Sequence, residues 1–156
     1  ARAVAAAYGV PERSVYAYET FDRIRDDASV DVVYVVLPNA FHADFTERAA
    51  RAGKHVFCEK PMAVTEAECR RMIDACARAG TRLMIAYRAP FEPHNAEAIR
   101  RIRAGEIGAV RQVIADHGRP LDPSKTQDQW RGVAALAGGG ALYDIGIYSL
   151  NGARYL

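Results

Sequence analysis

Residues Asp31-Val-Val-Tyr-Val-Val-Leu-Pro38 form a β-branched run without polar–apolar alternation. Such a run predicts a strand buried on both faces, as in a parallel sheet. Two further short strands are predicted at 55–58 and 82–87. Helical spacing, a capping pattern and glycine stops predict helices at 41–52 and 65–79. The order strand, helix, strand, helix, strand with short connections is typical of an α/β fold with a doubly wound sheet.

The first thirty residues supply helices rather than a strand. An alanine-rich helix over 1–8 is predicted to end at Gly9, and Thr20 is predicted to cap a short helix. The chain also has no Gly-x-Gly-x-x-Gly between a strand and a helix. Because a doubly wound nucleotide-binding sheet begins with a central strand, we expect a fragment that lacks the first βα unit.

The pattern changes after Arg88, and this change predicts two domains, 1–89 and 90–156. The elements predicted beyond the boundary are a helix at 94–104, a strand near 109–116, a loop over 118–129 and a final helix through Tyr155. Gly138-Gly-Gly140 begins the final helix. Glycines at this point allow another backbone or a ligand to approach closely.

The composition indicates a globular protein. Of 156 residues, 50% are apolar and 26% are charged, with a net charge of +2. So small a charge argues against nucleic-acid binding, and the longest apolar run, 32–38, is far below the ~20 residues that span a membrane. Three cysteines without paired spacing argue against disulfides and zinc. We expect a cytoplasmic protein, with periplasmic export left open because the chain begins at Ala1.

Two short segments follow directly on predicted buried strands: Pro38-Asn39 and Glu59-Lys60-Pro61. Ligands of open α/β sheets bind at the carboxyl ends of the parallel strands. Lys60 would place a positive charge at the edge of a cofactor there, since Pro61 keeps it out of helical conformation. The alternative is a solvent-exposed lysine at a strand end.

Asp144 and Tyr148 stand four residues apart in the predicted final helix, and therefore project from one face. Together they offer a carboxylate and a phenol to a ligand. The alternative is that the tyrosine packs in the core and the aspartate bonds a neighbour.

The remaining candidates also carry two interpretations each. Trp130-Arg131 offers a stacking face and a fork for phosphate or carboxylate, or else it seals the domain junction. Arg88 ends a strand and is otherwise a surface ion-pair partner. His42 begins a helix, where it either contacts a ribose or acts as a capping or surface group. His94 and His117 have no partner at ligand spacing, so no metal site is expected.

Three segments together resemble the glucose–fructose oxidoreductase/inositol dehydrogenase/MocA (Gfo/Idh/MocA) family. They are Leu37-Pro-Asn-Ala-Phe-His42, Ala52-Gly-Lys-His-Val-Phe-Cys-Glu-Lys-Pro-Met-Ala63 and Gly138-Gly-Gly-Ala-Leu-Tyr-Asp-Ile-Gly-Ile-Tyr148. Most relatives place histidine, not tyrosine, four residues after the aspartate of the third segment. Tyr148, the glycine triplet and Trp130-Arg131 look closer to the glucose–fructose oxidoreductase branch.

The resemblance implies a partial Rossmann-type parallel sheet followed by the start of an α+β domain with a mostly antiparallel sheet. It implies a sugar or polyol substrate, a homo-oligomer, and NADP or NAD as cofactor, with NADP favoured by the branch. The implied catalytic residues are Lys60, Asp144 and Tyr148. The implied cofactor contacts are Pro38, Asn39, His42, Glu59, Lys60, Arg88, Trp130 and Arg131.

On this interpretation Tyr148 is the acid/base that exchanges the proton of a sugar hydroxyl, assisted by Lys60, while hydride passes between the sugar and NAD(P). Asp144 orients a neighbouring hydroxyl. Two other interpretations stay open. One is a non-redox, NAD-dependent glycosidase or dehydratase on the same scaffold, and the other is a silent protein that binds a dinucleotide or sugar. We expect the fragment alone to be inactive.

Overall fold

The fold is built on a three-stranded parallel sheet. The structure, a computed structural model, describes residues 1–118, 120–122, 124–125 and 129–156. Strands β1 (Val32–Val35), β2 (His55–Cys58) and β3 (Leu83–Ile85) lie side by side in that order. All pairings are parallel, so the three carboxyl ends meet at one edge. The predicted parallel sheet is confirmed.

Two helices connect the strands. Helices α2 (His42–Arg51) and α3 (Glu66–Ala79) pack against each other and against the sheet. At the start of α3 the Thr65 hydroxyl accepts from the backbone N–H of Glu68 at 3.2 Å, and the Glu68 carboxylate accepts from the N–H of Thr65 at 3.1 Å. This is the predicted capping box. Gly80 ends the helix with a φ of 67°, as its position predicts.

One face of the sheet carries the core. Val35, Val56 and Cys58 point toward α2 and α3 and are at most 3% exposed. On the opposite face, Val32 and Tyr34 are 54% and 50% exposed. The expectation that the first strand is buried on both faces is therefore wrong, because both connecting helices pack on the same side.

The segment before β1 is helical, as predicted, but its second helix differs. Helix α1 (Arg2–Ala7) is followed by Gly9, which has a φ of 67°. A 3₁₀ helix covers Tyr18–Asp26. Thr20 lies within this helix, and its hydroxyl accepts from the N–H of Ala17 at 3.1 Å. The residue type of Thr20 suggested that it directly precedes the helix and caps it. That position is held by Ala17.

The elements described beyond β3 are helical. They include α4 (Pro93–Arg103), α5 (Ala134–Ala137), a π-helical turn (Leu142–Gly146), α6 (Ile147–Ala153) and two 3₁₀ helices (Ala89–Phe91 and Trp130–Gly132). The strand predicted near 109–116 is wrong, since these residues have no ladder partner in the described part of the chain and a strand needs a bonded neighbour. The final helix ends two residues before Tyr155. Residues 119, 123 and 126–128 of the predicted loop lie outside the described residues.

Within the described ranges, no helix is long and apolar enough to cross a membrane. The same residues contain no group of three His, Cys, Asp or Glu side chains placed to hold a metal ion. Cys58, Cys69 and Cys76 are free thiols. Burial raises the pKa of the Cys58 thiol to about 12, which keeps it protonated at neutral pH.

Replacing Met72 by alanine removes a side chain that is 0% exposed in the core. We expect this change to lower the free energy of unfolding by about 2–5 kcal/mol, because it leaves a cavity. Ile73, the next residue of α3, is 54% exposed, so Ile73→Ala is a matched control with an expected loss below about 1 kcal/mol. Urea denaturation measures both, and equal losses would contradict the buried face assigned to α3.

Candidate active site

The three side chains predicted to be catalytic lie together. The Lys60 ammonium is 3.7 Å from Oδ1 of Asp144 and 4.7 Å from the centre of the Tyr148 ring. It also donates a hydrogen bond to the backbone carbonyl of Asp144. A lysine from the carboxyl end of β2 thus contacts two residues that lie more than eighty positions later in the chain.

Lys60 reaches this cluster from a largely buried position. It follows β2 by two residues, and its side chain is 13% exposed. Burial lowers the pKa of the Lys60 ammonium, whereas the carboxylates of Asp144 and Glu59 oppose that change. The lysine is therefore not the solvent-exposed residue of the alternative interpretation.

Asp144 lies between two cations. Its Oδ1 accepts from Nε of Arg131 at 3.1 Å and faces the Lys60 ammonium. The Arg131 guanidinium in turn lies 4.4 Å from the centre of the Trp130 ring, a cation–π distance. The structure thus brings Arg131, predicted as a cofactor contact, to the carboxylate of the cluster that is predicted to be catalytic. Direct contact of Trp130-Arg131 with a cofactor stays a prediction.

Glu59 is held by a residue that the sequence analysis missed. Its Oε1 accepts from the hydroxyl of Tyr34 at 2.5 Å, and its Oε2 accepts from the backbone N–H of Lys60 at 3.1 Å. Tyr34 pairs with Phe57 in the sheet register, and the two rings stack with centres 4.7 Å apart. Residues two apart in a strand share a face, so the register places Tyr34 beside Glu59. The sequence without the register gives no such signal.

The predicted ribose contact of His42 is corrected by the structure. The His42 ring is 0% exposed, with Nδ1 at 2.8 Å from the carbonyl oxygen of Pro61 and Nε2 at 2.9 Å from that of Leu37. Both nitrogens therefore face backbone, and the ring joins the two turns that follow β1 and β2. A direct contact with a ligand would require this ring to leave its site.

The segment that carries Asp144 docks closely on the segment after β2. Gly138 has a φ of 74°, and a Cβ added there would lie 2.3 Å from Cγ1 of Val64. The Asn39 amide, 4% exposed, donates to the carbonyl of Ala137 at 2.8 Å, and the Tyr143 hydroxyl donates to that of Val64 at 3.3 Å. The close approach that the glycine triplet predicts is confirmed at Gly138. A cofactor contact by Asn39 stays a prediction.

Two pockets adjoin Tyr148. The smaller has a volume of about 510 Å³, and its walls include Tyr34, Phe57 and Glu59; the larger, about 1130 Å³, lies between α4 and α6. Arg88 and Tyr148 line both pockets. The predicted site residues that line neither are Pro38, Asn39, His42, Lys60, Trp130, Arg131 and Asp144. Within the cluster, Tyr148 therefore faces the pockets, and Lys60 lies behind it.

Two family profiles match the chain. The profile described as "Oxidoreductase family, NAD-binding Rossmann fold" matches residues 1–87, which is more than half of the chain. The GFO/IDH/MocA C-terminal domain profile matches residues 95–156. The chain belongs to the GFO/IDH/MocA oxidoreductase family. The resemblance inferred from the three sequence segments and the Rossmann-type sheet are thereby confirmed.

Other members of the GFO/IDH/MocA family are similar over almost all of this chain. D-xylose 1-dehydrogenase (NADP(+)) of Haloarcula marismortui is 40% identical over 98% of the chain and 42% of its own length. The aldose-aldose oxidoreductase from Caulobacter crescentus, complexed with glycerol, has a TM-score of 0.94 and 58% identity over 99% of the chain and 45% of its own. A levoglucosan dehydrogenase in complex with NADH and levoglucosan has a TM-score of 0.77 and 34% identity over 100% of the chain and 41% of its own length. The chain spans less than half the length of each.

Replacing Gly138 by alanine is expected to lower the free energy of unfolding by about 2 kcal/mol or more, because Cβ would meet Val64 and the left-handed backbone disfavours alanine. Gly140 has no atom within 4 Å of an added Cβ, so Gly140→Ala is the matched control. Thermal unfolding of both variants in the whole protein tests this expectation. A Gly138→Ala variant as stable as Gly140→Ala would contradict the close docking.

Proposed function

We propose that the whole protein is an NAD(P)-dependent oxidoreductase that transfers hydride between a sugar or polyol hydroxyl and the cofactor, with Tyr148 as the acid/base. The observation that carries this proposal is the 4.7 Å contact between the Lys60 ammonium and the Tyr148 ring, at a pocket wall. The names of the relatives support a sugar as the substrate. Two of these relatives are dehydrogenases of D-xylose and levoglucosan, and the third is an oxidoreductase of aldoses.

The smaller pocket suits the nicotinamide end of a dinucleotide. The stacked rings of Tyr34 and Phe57 give it a flat apolar wall, which matches a planar ring. It also lies near the carboxyl ends of parallel strands, where such folds bind nucleotides. The bound cofactor would supply hydride acceptance. One relative is named for NADP and another was solved with NADH, so both cofactors remain within the proposal.

Tyr148 is proposed to take the hydroxyl proton because a cation stabilises the phenolate. An ordinary phenol ionises near pH ~10, so forming the phenolate at pH 7 costs about 4 kcal/mol. A positive charge about 4 Å away contributes a similar ~4 kcal/mol at an effective dielectric constant of ~20. The Lys60 ammonium lies 4.7 Å from the centre of the Tyr148 ring, and a nearby cation favours the charged phenolate, so Lys60 is proposed to assist proton transfer to Tyr148.

Asp144 is proposed to serve the same chemistry in two ways. Its carbonyl and carboxylate oxygens hold the Lys60 ammonium beside Tyr148. Arg131 fixes the carboxylate from the other side. The carboxylate, one helical turn from Tyr148, then orients a neighbouring sugar hydroxyl, which places the reacting hydroxyl at the phenol.

Substitution of Tyr148 by phenylalanine keeps the ring and removes the proton-transfer group. We expect kcat for sugar oxidation by the whole protein to fall at least ~100-fold, the usual scale of acid–base catalysis, with the Kd for NAD(P) unchanged. Tyr8, whose side chain is 82% exposed, provides the control Tyr8→Phe. Turnover by Tyr148→Phe close to the wild-type value would remove Tyr148 from this role. A wild-type protein that forms product with neither net NAD(P)H nor a reduced second sugar would favour the non-redox alternative.

The charge of Lys60 predicts that kcat depends on pH. Because burial lowers the pKa of its ammonium, Lys60 loses its charge at a lower pH than an ordinary lysine, that is below about 10.4. The neutral amine no longer stabilises the phenolate, so we expect kcat to decline on the alkaline side below that pH. In Lys60→Met, kcat is low throughout and this decline is absent. An identical alkaline decline in both proteins would show that another group causes it.

A further inference from the structure

Three phenols line the smaller pocket, and two of them, Tyr34 and Tyr148, have charged neighbours of opposite sign. Tyr148 has the ammonium of Lys60 beside its ring. Tyr34 has the carboxylate of Glu59, to which its hydroxyl donates at 2.5 Å. A cation favours the phenolate and a carboxylate disfavours it. One phenol is therefore suited to exchange a proton, and the other is suited to remain a hydrogen-bond donor.

The carboxylate of Glu59 links Tyr34 to the catalytic lysine. Its Oε1 is held by Tyr34, and its Oε2 accepts from the backbone N–H of Lys60 at 3.1 Å. With both oxygens engaged, the carboxylate is directed at the main chain of Lys60 and not at its ammonium. The ammonium in turn contacts Asp144 and the Tyr148 ring.

We propose that Tyr34 is a positioning residue: its hydroxyl holds the Glu59 carboxylate on the Lys60 backbone and so keeps the Lys60 ammonium with Asp144 and Tyr148. This inference rests on the proposed function, in which that ammonium assists Tyr148. Without the Tyr34 hydroxyl, the Glu59 carboxylate is released beside the lysine and competes with Asp144 for the ammonium. Tyr148 then loses the cation that stabilises its phenolate.

The surroundings of Tyr34 suit this role. The ring is fixed by stacking on Phe57, with an interplanar angle of 22°. The hydrogen bond to Glu59 is the largest cause that raises the pKa of Tyr34 to about 12, followed by burial and by the charges of Glu59, Cys58 and Tyr148. Tyr34 therefore remains a neutral donor to a higher pH than an ordinary phenol.

The hydrogen bond itself is tested without measuring activity. In the whole protein labelled with ¹³C at tyrosine Cζ, we assign the Tyr34 resonance by its loss in Tyr34→Phe and follow it from pH 7 to pH 10.5. Because ordinary phenols ionise near ~10, an unchanged resonance supports the contact. In Glu59→Gln the Tyr34 resonance is expected to begin shifting within this range. A wild-type resonance that titrates near pH 10 overturns the proposal.

The positioning role is tested by a double-mutant cycle on kcat. We expect Tyr34→Phe, which keeps the stacked ring, to lower kcat about tenfold in the wild-type background and less than about twofold in the Glu59→Gln background. KM for NAD(P) should change less than kcat. A tenfold loss in both backgrounds, or no loss in the wild type, overturns the role of Tyr34 through Glu59.

Tyr18 supplies the matched control for the kinetic experiment. Its side chain is 65% exposed, and its ring lies edge-on to Phe45 with centres 5.6 Å apart. Tyr18→Phe therefore removes an exposed hydroxyl and keeps the ring packing, and we expect kcat to be unchanged. If the whole protein oxidises no sugar, the proposed function fails and the positioning role fails with it. The resonance titration still decides whether Tyr34 is bonded to Glu59.

Discussion

A single ammonium, that of Lys60, connects the two halves of this chain at the point where chemistry is proposed. It is largely removed from water and is surrounded by the carboxylate and carbonyl of Asp144 and the ring of Tyr148. Removing a charge from water is costly unless partners replace the solvent. The position of the final helical segment relative to the sheet therefore depends on the contacts that the Lys60 ammonium requires.

The backbone around this ammonium is arranged so that the partners can reach it. Gly138 brings the segment before Asp144 within van der Waals contact of Val64, just after the Lys60 turn. Asn39 bonds the same segment to the turn after β1. His42 joins the turns after β1 and β2 through two carbonyl oxygens. Residues that the sequence suggested as ligand contacts therefore also hold the scaffold together.

The sequence predicts well whatever depends on local pattern. The β-branched run of β1, the Thr65 capping box and the stop at Gly80 are each decided by neighbouring residues. Three features that need a distant partner were missed or wrong. The exposed face of β1 depends on which side of the sheet the two connecting helices pack. The Tyr34–Glu59 hydrogen bond depends on the register of β1 and β2. The strand predicted at 109–116 has no pairing neighbour in the described structure. The domain boundary at 89/90 and the roles of the site residues stay predictions.

The small residues of α2 have a consequence for how this protein tolerates change. Ala49 is 0% exposed beneath the sheet, and its helix begins at His42, seven residues earlier, or about 10 Å along the axis. A tightly packed interior transmits displacement and does not absorb it. A bulkier residue at 49 would therefore push the helix outward and carry His42 with it. A substitution at Ala49, far from the site, would therefore change the geometry around Lys60.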